Sequence, residues 1–352
     1  MRRNSKLALL SGKGLAVTLA CCFATEAMAT EWNVSLWGSR RAFTEHVEKL
    51  AELVETKTNG EFMINISYGG LSKNRENLDG ISKGAFEMAQ FCAGYHAEKN
   101  KTITVLELPF LGVNTLEEEM TISHAIYEHP ATAGELANWN AKLLMATPLP
   151  QYNLVGTGNQ LQNLSWFDDV RIRATGGIGK AFATLGAEPV SLTATETFEA
   201  MESGDVEAVA FAQHAHFSFK TIDQADWWTS NLNPGSVNCP IVVNIDAYNA
   251  LSPEHRAALD SSVAPALQHF LEYYTDLIYK WDEILELFEV EKVTIPQSEI
   301  DAFRERAAAP VHQQWIADME AEGFPGQELY DLANTALEEI RNGTRPIFGE
   351  DF

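Results

Sequence analysis

The chain has 352 residues, 45% of them hydrophobic, and sets 25 Lys and Arg against 49 Asp and Glu for a formal net charge of −24. A surface that acidic repels the phosphate backbone and excludes nucleic acid as a partner. The length exceeds what a single core usually holds and predicts two lobes.

Residues 1–29 combine Arg2, Arg3, Lys6 and Lys13 with an apolar run from Leu15 to Ala24 and the small-x-small end Ala27-Met28-Ala29. This is the pattern of a cleavable secretory signal, and the run is too short to span a bilayer as a helix. The mature chain is expected to start at Thr30, outside the cytoplasm. Removing Arg2, Arg3, Lys6, Lys13 and Glu26 with the leader leaves 21 basic and 48 acidic side chains, a net charge of −27. Cys92 and Cys239 are the cysteines that remain, and export permits a disulfide that a chain of this size does not need in order to fold. The sequence leaves that bond open.

Glu31–Trp37 reads as a strand. It is followed by a helix over Arg41–Thr58, where Phe43, Val47, Leu50 and Val54 form one stripe and Asn59-Gly60 stops it. A strand at Glu61–Tyr68, a short helix at Asn74–Lys83, a strand at Phe86–Cys92, an apolar segment at Val105–Leu111 and a helix at Leu116–Glu128 continue the alternation of a largely parallel α/β lobe. Lys142–Ala146 leads through Pro148 and Pro150 into a second such unit. Its elements are strands at Arg171–Ala174, Pro189–Leu192 and Val206–Ala212, with helices at Ile178–Leu185 and Thr195–Glu202. A strand at Val237–Ile245 precedes Ser252-Pro253-Glu254, a helix start. The helical run from there to about Glu289 is long enough to cross both lobes, with a kink or restart expected at Pro265. Helices at Val311–Glu322 and Gln327–Asn342 finish the chain. The expected division is lobe one at 30–150 with 240–279, lobe two at 151–239 with 280–307, and C-terminal helices over 308–352 packed on both.

Motifs for chemistry are mostly missing. Gly176-Gly177-Ile178-Gly179-Lys180 is followed by Ala181 and lacks the spacing of a phosphate loop, and Gly156-Thr157-Gly158 lacks the third glycine of a dinucleotide site. His214 and His216 would share one side of a strand but have no third ligand at a metal-site spacing. No cofactor is expected, and a binding protein is favoured over an enzyme; a hydrolase or lyase using His214, His216 or an acidic pair is the rival reading. Arg173 differs from the other cations because it stands at the carboxyl end of a strand, before Gly176-Gly177 and a helix, where open α/β sheets place their ligand crevice.

The run Arg171-Ile-Arg-Ala-Thr-Gly-Gly, then Leu185-Gly-Ala-Glu-Pro-Val, then Glu196-Thr-Phe-Glu-Ala-Met-Glu-Ser-Gly-Asp-Val-Glu-Ala resembles the DctP-type solute-binding subunits of tripartite ATP-independent periplasmic (TRAP) transporters. Thr58-Asn-Gly-Glu, Gly69-Gly-Leu-Ser, Lys83-Gly-Ala-Phe-Glu-Met, Leu108-Pro-Phe-Leu, Ile241-Val-Val-Asn and Leu251-Ser-Pro-Glu-His-Arg support it in the same order, from about residue 31 to 290. The resemblance implies a two-lobed periplasmic binding protein of type II-like architecture. A long helix would brace its lobes, which close on a small molecule for delivery to small and large integral membrane subunits driven by an ion gradient. It also implies that Arg173 pairs with a ligand carboxylate, a task that suits the fork of a guanidinium.

Two departures bear on the ligand. About twenty residues before Arg173 the chain reads Gln151-Tyr152-Asn153-Leu154 without a cation, which offers Asn153 as the polar contact. Beyond Asp205-Val-Glu-Ala, Phe211 stands where many members carry polar contacts, and it supplies an aromatic wall. Trp37, Phe91, Tyr95 and Asn238, all near strand ends, complete the candidate ligand-binding set. Trp227 and Trp228 are further aromatics that could approach the cleft. A cluster of aromatic rings would also suit an amine or betaine through cation–π attraction, and the same fold could serve another importer or a sensor. The expected ligand is a small carboxylate-bearing solute.

Overall fold

A computed structural model of the protein describes residues 29–348; all of the proposed leader except Ala29 lies outside the described residues. The strands are β1 (Thr30–Leu36), β2 (Phe62–Tyr68), β3 (Met88–Gln90), β4 (Ala141–Met145), β5 (Asn153–Gly156), β6 (Arg171–Arg173), β7 (Glu188–Val190), β8 (Ala208–Phe211), β9 (Trp227–Thr229), β10 (Ile241–Asn244) and β11 (Glu291–Val293). They form two sheets, ordered β2-β1-β3-β10-β4 and β11-β9-β5-β8-β6-β7. These are the sheets of the two lobes. In β1, Trp32, Val34 and Leu36 turn inward at every second residue, whereas β8 is buried at all four positions because helices cover both faces of its sheet.

Two extended crossings link the lobes, at 146–152 and 230–240, and the strand after each crossing runs against its neighbours. β5 is antiparallel to β8 and β9, and β10 is antiparallel to β3 and β4. The remaining pairs are parallel. Both crossings leave the chain near the carboxyl ends of the parallel strands, so the crevice lies beside the hinge.

The brace is the helix Pro253–Tyr279, whose first turn is capped by the Ser252 hydroxyl accepting from the His255 amide at 3.1 Å. The helix is unbroken at Pro265, so it does not restart there. Proline at that position leaves the Ser261 carbonyl without its intrahelical donor, and the Lys57 ammonium supplies one at 2.9 Å. The helix packs along Glu45–Lys57 of lobe one and reaches lobe two through Tyr274, whose hydroxyl bonds His214. A second proline, Pro310, lies inside the helix Gln297–Ala321, which starts well before the predicted Val311. Its buried residues Ile300, Phe303, Ala307, Val311, Trp315 and Met319 form one unbroken stripe. The last helix, Gly326–Arg341, packs on Leu116–Glu128 and is pinned by Arg341 to Glu118 at 2.7 Å. No helix among the described residues is long and apolar enough to cross a membrane.

Candidate functional site

A small cavity lies where the two crossings meet the strand ends, walled by Trp37, Phe43, Cys92, Tyr95, Leu149, Tyr152, Phe211, Phe219, Cys239, Arg41 and His214. Its volume is only about 30 Å³, room for a water or two, so the lobes are closed. Trp37 separates it from an outer cleft of about 620 Å³ whose two sides belong to different lobes. Across that cleft the Asn74 amide donates to the Thr195 hydroxyl at 3.2 Å and the Arg75 guanidinium to the Ser191 carbonyl at 3.1 Å.

Cys92 and Cys239 are bonded to each other, with Cα atoms 4.0 Å apart. The disulfide ties the second crossing to the end of β3 and forms part of the cavity wall.

Arg173 sits at the end of β6 and is 2% exposed. Its Nε and one terminal nitrogen donate to the Leu192 carbonyl at 3.0 and 2.8 Å, the other terminal nitrogen to the Ala210 carbonyl at 3.0 Å, and a further bond goes to the Tyr95 hydroxyl at 3.2 Å. The Phe211 ring stacks on its guanidinium at 4.3 Å, so Phe211 faces the cavity with Arg173 behind it. Tyr95 comes from lobe one, and its oxygen also accepts the Ala194 amide at 2.7 Å, which makes it a bridge between lobes.

Of the predicted set, Trp37, Tyr95 and Phe211 line the cavity and Arg173 underlies it. Phe91, Asn153 and Asn238 do not reach it. Phe91 lies in the lobe-one core against His96. The Asn238 side chain accepts from the Tyr127 hydroxyl at 2.5 Å and donates to Ser123 at 3.0 Å, also inside lobe one. Asn153 bonds Asn233, Thr229 and the Leu232 amide on the far side of β5, beside a different pocket. The reason is the same in all three places: successive residues of extended chain face opposite ways, and the neighbours Cys92, Cys239 and Tyr152 take the inward positions. Trp227 and Trp228 are buried against Trp166 and Trp281 rather than at the cleft. His214 and His216 lie on a short helix, Gln213–Ser218, not on a strand. Burial drives the pKa of His216 down to about 3 and that of His214 well below normal, so both are neutral. Among the described residues no group of His, Cys, Asp and Glu is arranged to hold a metal.

Two functional groups escape the sequence reading. One is Arg41, 6% exposed, which lines the cavity from the loop after β1. The other is Glu107, fully buried where lobe one meets the start of the helix Gly176–Ala183. A β-carbon on Gly176 would lie 2.1 Å from the Glu107 carboxylate, and one on Gly177 would lie 2.0 Å from the Glu107 carbonyl. The glycine pair therefore serves the contact between lobes. Burial raises the Glu107 pKa to about 7 despite hydrogen bonds from the Gly94 and Asn238 amides and the nearby Arg173.

Residues 34–318 match the bacterial extracellular solute-binding proteins, family 7, known as DctP. The chain belongs to this family. Solved relatives of this DctP-family chain share its fold at low identity. A marine metagenome TRAP solute-binding protein specific for aromatic acids, in complex with 3-hydroxybenzoate, aligns at TM-score 0.79 with 18% identity, covering 89% of this chain and 99% of that one. A TRAP protein from Rhodoferax ferrireducens with copurified benzoate gives 0.80 and 17%, with 90% and 100% covered, and one from a Sulfitobacter species with bound β-D-galacturonate gives 0.75 and 14%, with 87% and 100% covered. By sequence, the chain is 22% identical over 292 residues to the outer membrane transporter protein TsaT of Comamonas testosteroni, covering 81% of this chain and 85% of that protein. The DctP-family chain is thus a solute-binding receptor with a two-lobed α/β fold.

Proposed function

We propose that this receptor captures a small aromatic or similarly apolar carboxylate between its lobes, in the periplasm after export by residues 1–29, and hands it to TRAP membrane subunits for ion-gradient-driven uptake. The observation that carries this reading is the pair of buried guanidinium groups at the cavity, Arg41 and Arg173, neither of which has a carboxylate within 4.0 Å among the described residues. A buried charge without a counter-ion is costly, and an anionic ligand supplies one. The rest of the wall is mainly aromatic, from Trp37, Phe43, Tyr95, Tyr152, Phe211 and Phe219, and suits a ring more than a polyhydroxylated sugar acid. The relatives named for aromatic acids and benzoate fit this choice. The same two cations repel an ammonium group and disfavour an amine or betaine. Ligand entry requires the lobes to part, and closure over the ligand is the form a membrane partner would recognise.

The test is a thermal-shift screen of the mature protein against benzoate, 3-hydroxybenzoate, mandelate, galacturonate and glycine betaine. A ligand at 100 times its Kd adds about 2.7 kcal/mol of apparent stability. Shifts with the aromatic acids are expected, and a response to betaine alone would overturn the proposal.

A further inference from the structure

We propose that His214 is a specificity-determining residue, a neutral N–H donor at the cavity that favours aromatic acids carrying a hydroxyl on the ring; this rests on the carboxylate reading above. His214 stands on the helix Gln213–Ser218 of lobe two, is 4% exposed and lines the cavity. Two neighbours from other elements fix its ring. Phe43 of lobe one stacks on its face, with centroids 5.2 Å apart and the planes 25° from parallel. Tyr274 of the brace helix meets it edge-on and bonds Nδ1 through its hydroxyl. The ring is therefore held before ligand arrives.

The bonding of Tyr274 decides the tautomer. Tyr274 is fully buried, and its oxygen accepts the backbone amide of His214. Nδ1 is the one acceptor its own proton has among the described residues, so the hydroxyl donates and Nδ1 accepts. A neutral imidazole carries a single N–H, which is then on Nε2. Burial, and after it the nearby Arg41 and His216, holds the pKa of His214 well below the ordinary range, so the ring stays neutral. Nε2 makes no hydrogen bond to any described residue. A buried donor left unpaired is costly, and an oxygen of the ligand relieves it. A carboxylate drawn to Arg173 meets a different set of groups, Tyr95 and Phe211, which leaves the Nε2–H for an oxygen elsewhere on the ligand. Phe43, Leu149, Ala215 and Phe219 supply the apolar wall around the ring that carries it.

The experiment is calorimetric titration of the mature wild-type protein and of His214→Phe with benzoate and its three monohydroxy isomers. One hydroxybenzoate is expected to bind the wild type about tenfold more tightly than benzoate, the worth of a neutral hydrogen bond to a donor otherwise buried unpaired. His214→Phe keeps the aromatic bulk and loses the donor, so it should bring the ratio of the two affinities near one while benzoate itself binds as before. A preference that survives in His214→Phe overturns the assignment. An equal loss for benzoate and the hydroxy acid also overturns it, because His214 would then act on the carboxylate or on the fold. Should His214→Phe fail to fold, a crystal structure of the wild type with the preferred hydroxybenzoate decides. A ligand hydroxyl bonded to Nε2 supports the proposal, and one bonded elsewhere overturns it. A wild type that binds none of the four acids removes the carboxylate reading and this assignment with it, whereas wild-type binding of all four without preference removes the assignment alone.

Discussion

Arg41 and Arg173 are both buried arginines near one cavity, yet their surroundings differ. Arg173 holds its own lobe together: it joins the Leu192 and Ala210 carbonyls, reaches Tyr95 of lobe one, and feels the carboxyls of Glu107 and Glu196. Arg41 is fastened only to its own loop and keeps a free edge at the cavity. Burial alone does not tell the two apart. The donor count does, and it implies that the two substitutions should separate in ligand-free protein.

The largest expected effect is on Arg173. Arg173→Met removes the donors from two buried carbonyls and should lower the unfolding free energy of the ligand-free protein by about 3–5 kcal/mol, the usual cost of breaking a buried charged network. Arg41→Gln removes an unpaired buried charge and should leave that stability unchanged or raised. Urea denaturation of both variants without ligand measures the difference, and equal losses would erase the distinction between the two arginines.

Next in size is a pH effect on the Arg173 side. Glu107 faces Arg173, and the buried groups Glu119, Tyr127 and Tyr152 also act on it or are acted on by it. Its pKa is raised to about 7 in the folded protein, against an unfolded value near 4.3. The stability it contributes is therefore present below the unfolded pKa and lost as pH rises through about 7, amounting to about 4 kcal/mol by pH 8. Glu107→Gln should match the wild type near pH 4 and exceed it at pH 8. The depressed histidines act in the other direction, as pH falls below 6.5, and cancel in the difference between the two proteins. Parallel stability profiles from pH 4 to 8 would mean that Glu107 is ionised in the fold and pairs with Arg173 after all.

The same contrast shows what the sequence makes legible. Arg173 is marked by a regular strand, a glycine pair and a helix start, so its place at a strand end can be read directly. Arg41 also follows a strand, β1, but the pattern reads it as the first residue of the helix Arg41–Thr58, with nothing to mark it for the cavity. Only packing decides that Arg40 stays outside, 66% exposed, while Arg41 turns in. The two-lobed order is legible because apolar periodicity and turn residues are local properties. Which residue of a neighbouring pair faces the cleft is not local. Phe91 against Cys92, Asn153 against Tyr152 and Asn238 against Cys239 each turn on a register fixed by sheet pairing. The helix through Pro310 illustrates the reverse case, in which a stripe from Ile300 to Met319 is present in the sequence but the helix is predicted only from Val311.

The smallest effect concerns Tyr95, the point where the Arg173 side touches lobe one. Its oxygen takes one bond from Arg173 and one from the Ala194 amide, both donors belonging to lobe two. In Tyr95→Phe the ring remains against Trp37, with centroids 6.2 Å apart in the present structure, but the Ala194 amide is left without its acceptor when the lobes are shut. That penalty, about 1–2 kcal/mol, falls on the closed form alone, because in the open form water can reach the amide. The variant should therefore keep its fold while a larger fraction opens, seen as a larger radius in solution X-ray scattering. Benzoate affinity should fall by about tenfold, since a ligand that needs the closed form is weakened in proportion to its population. An unchanged radius together with unchanged benzoate affinity would mean that the Tyr95 hydroxyl does not hold the lobes together.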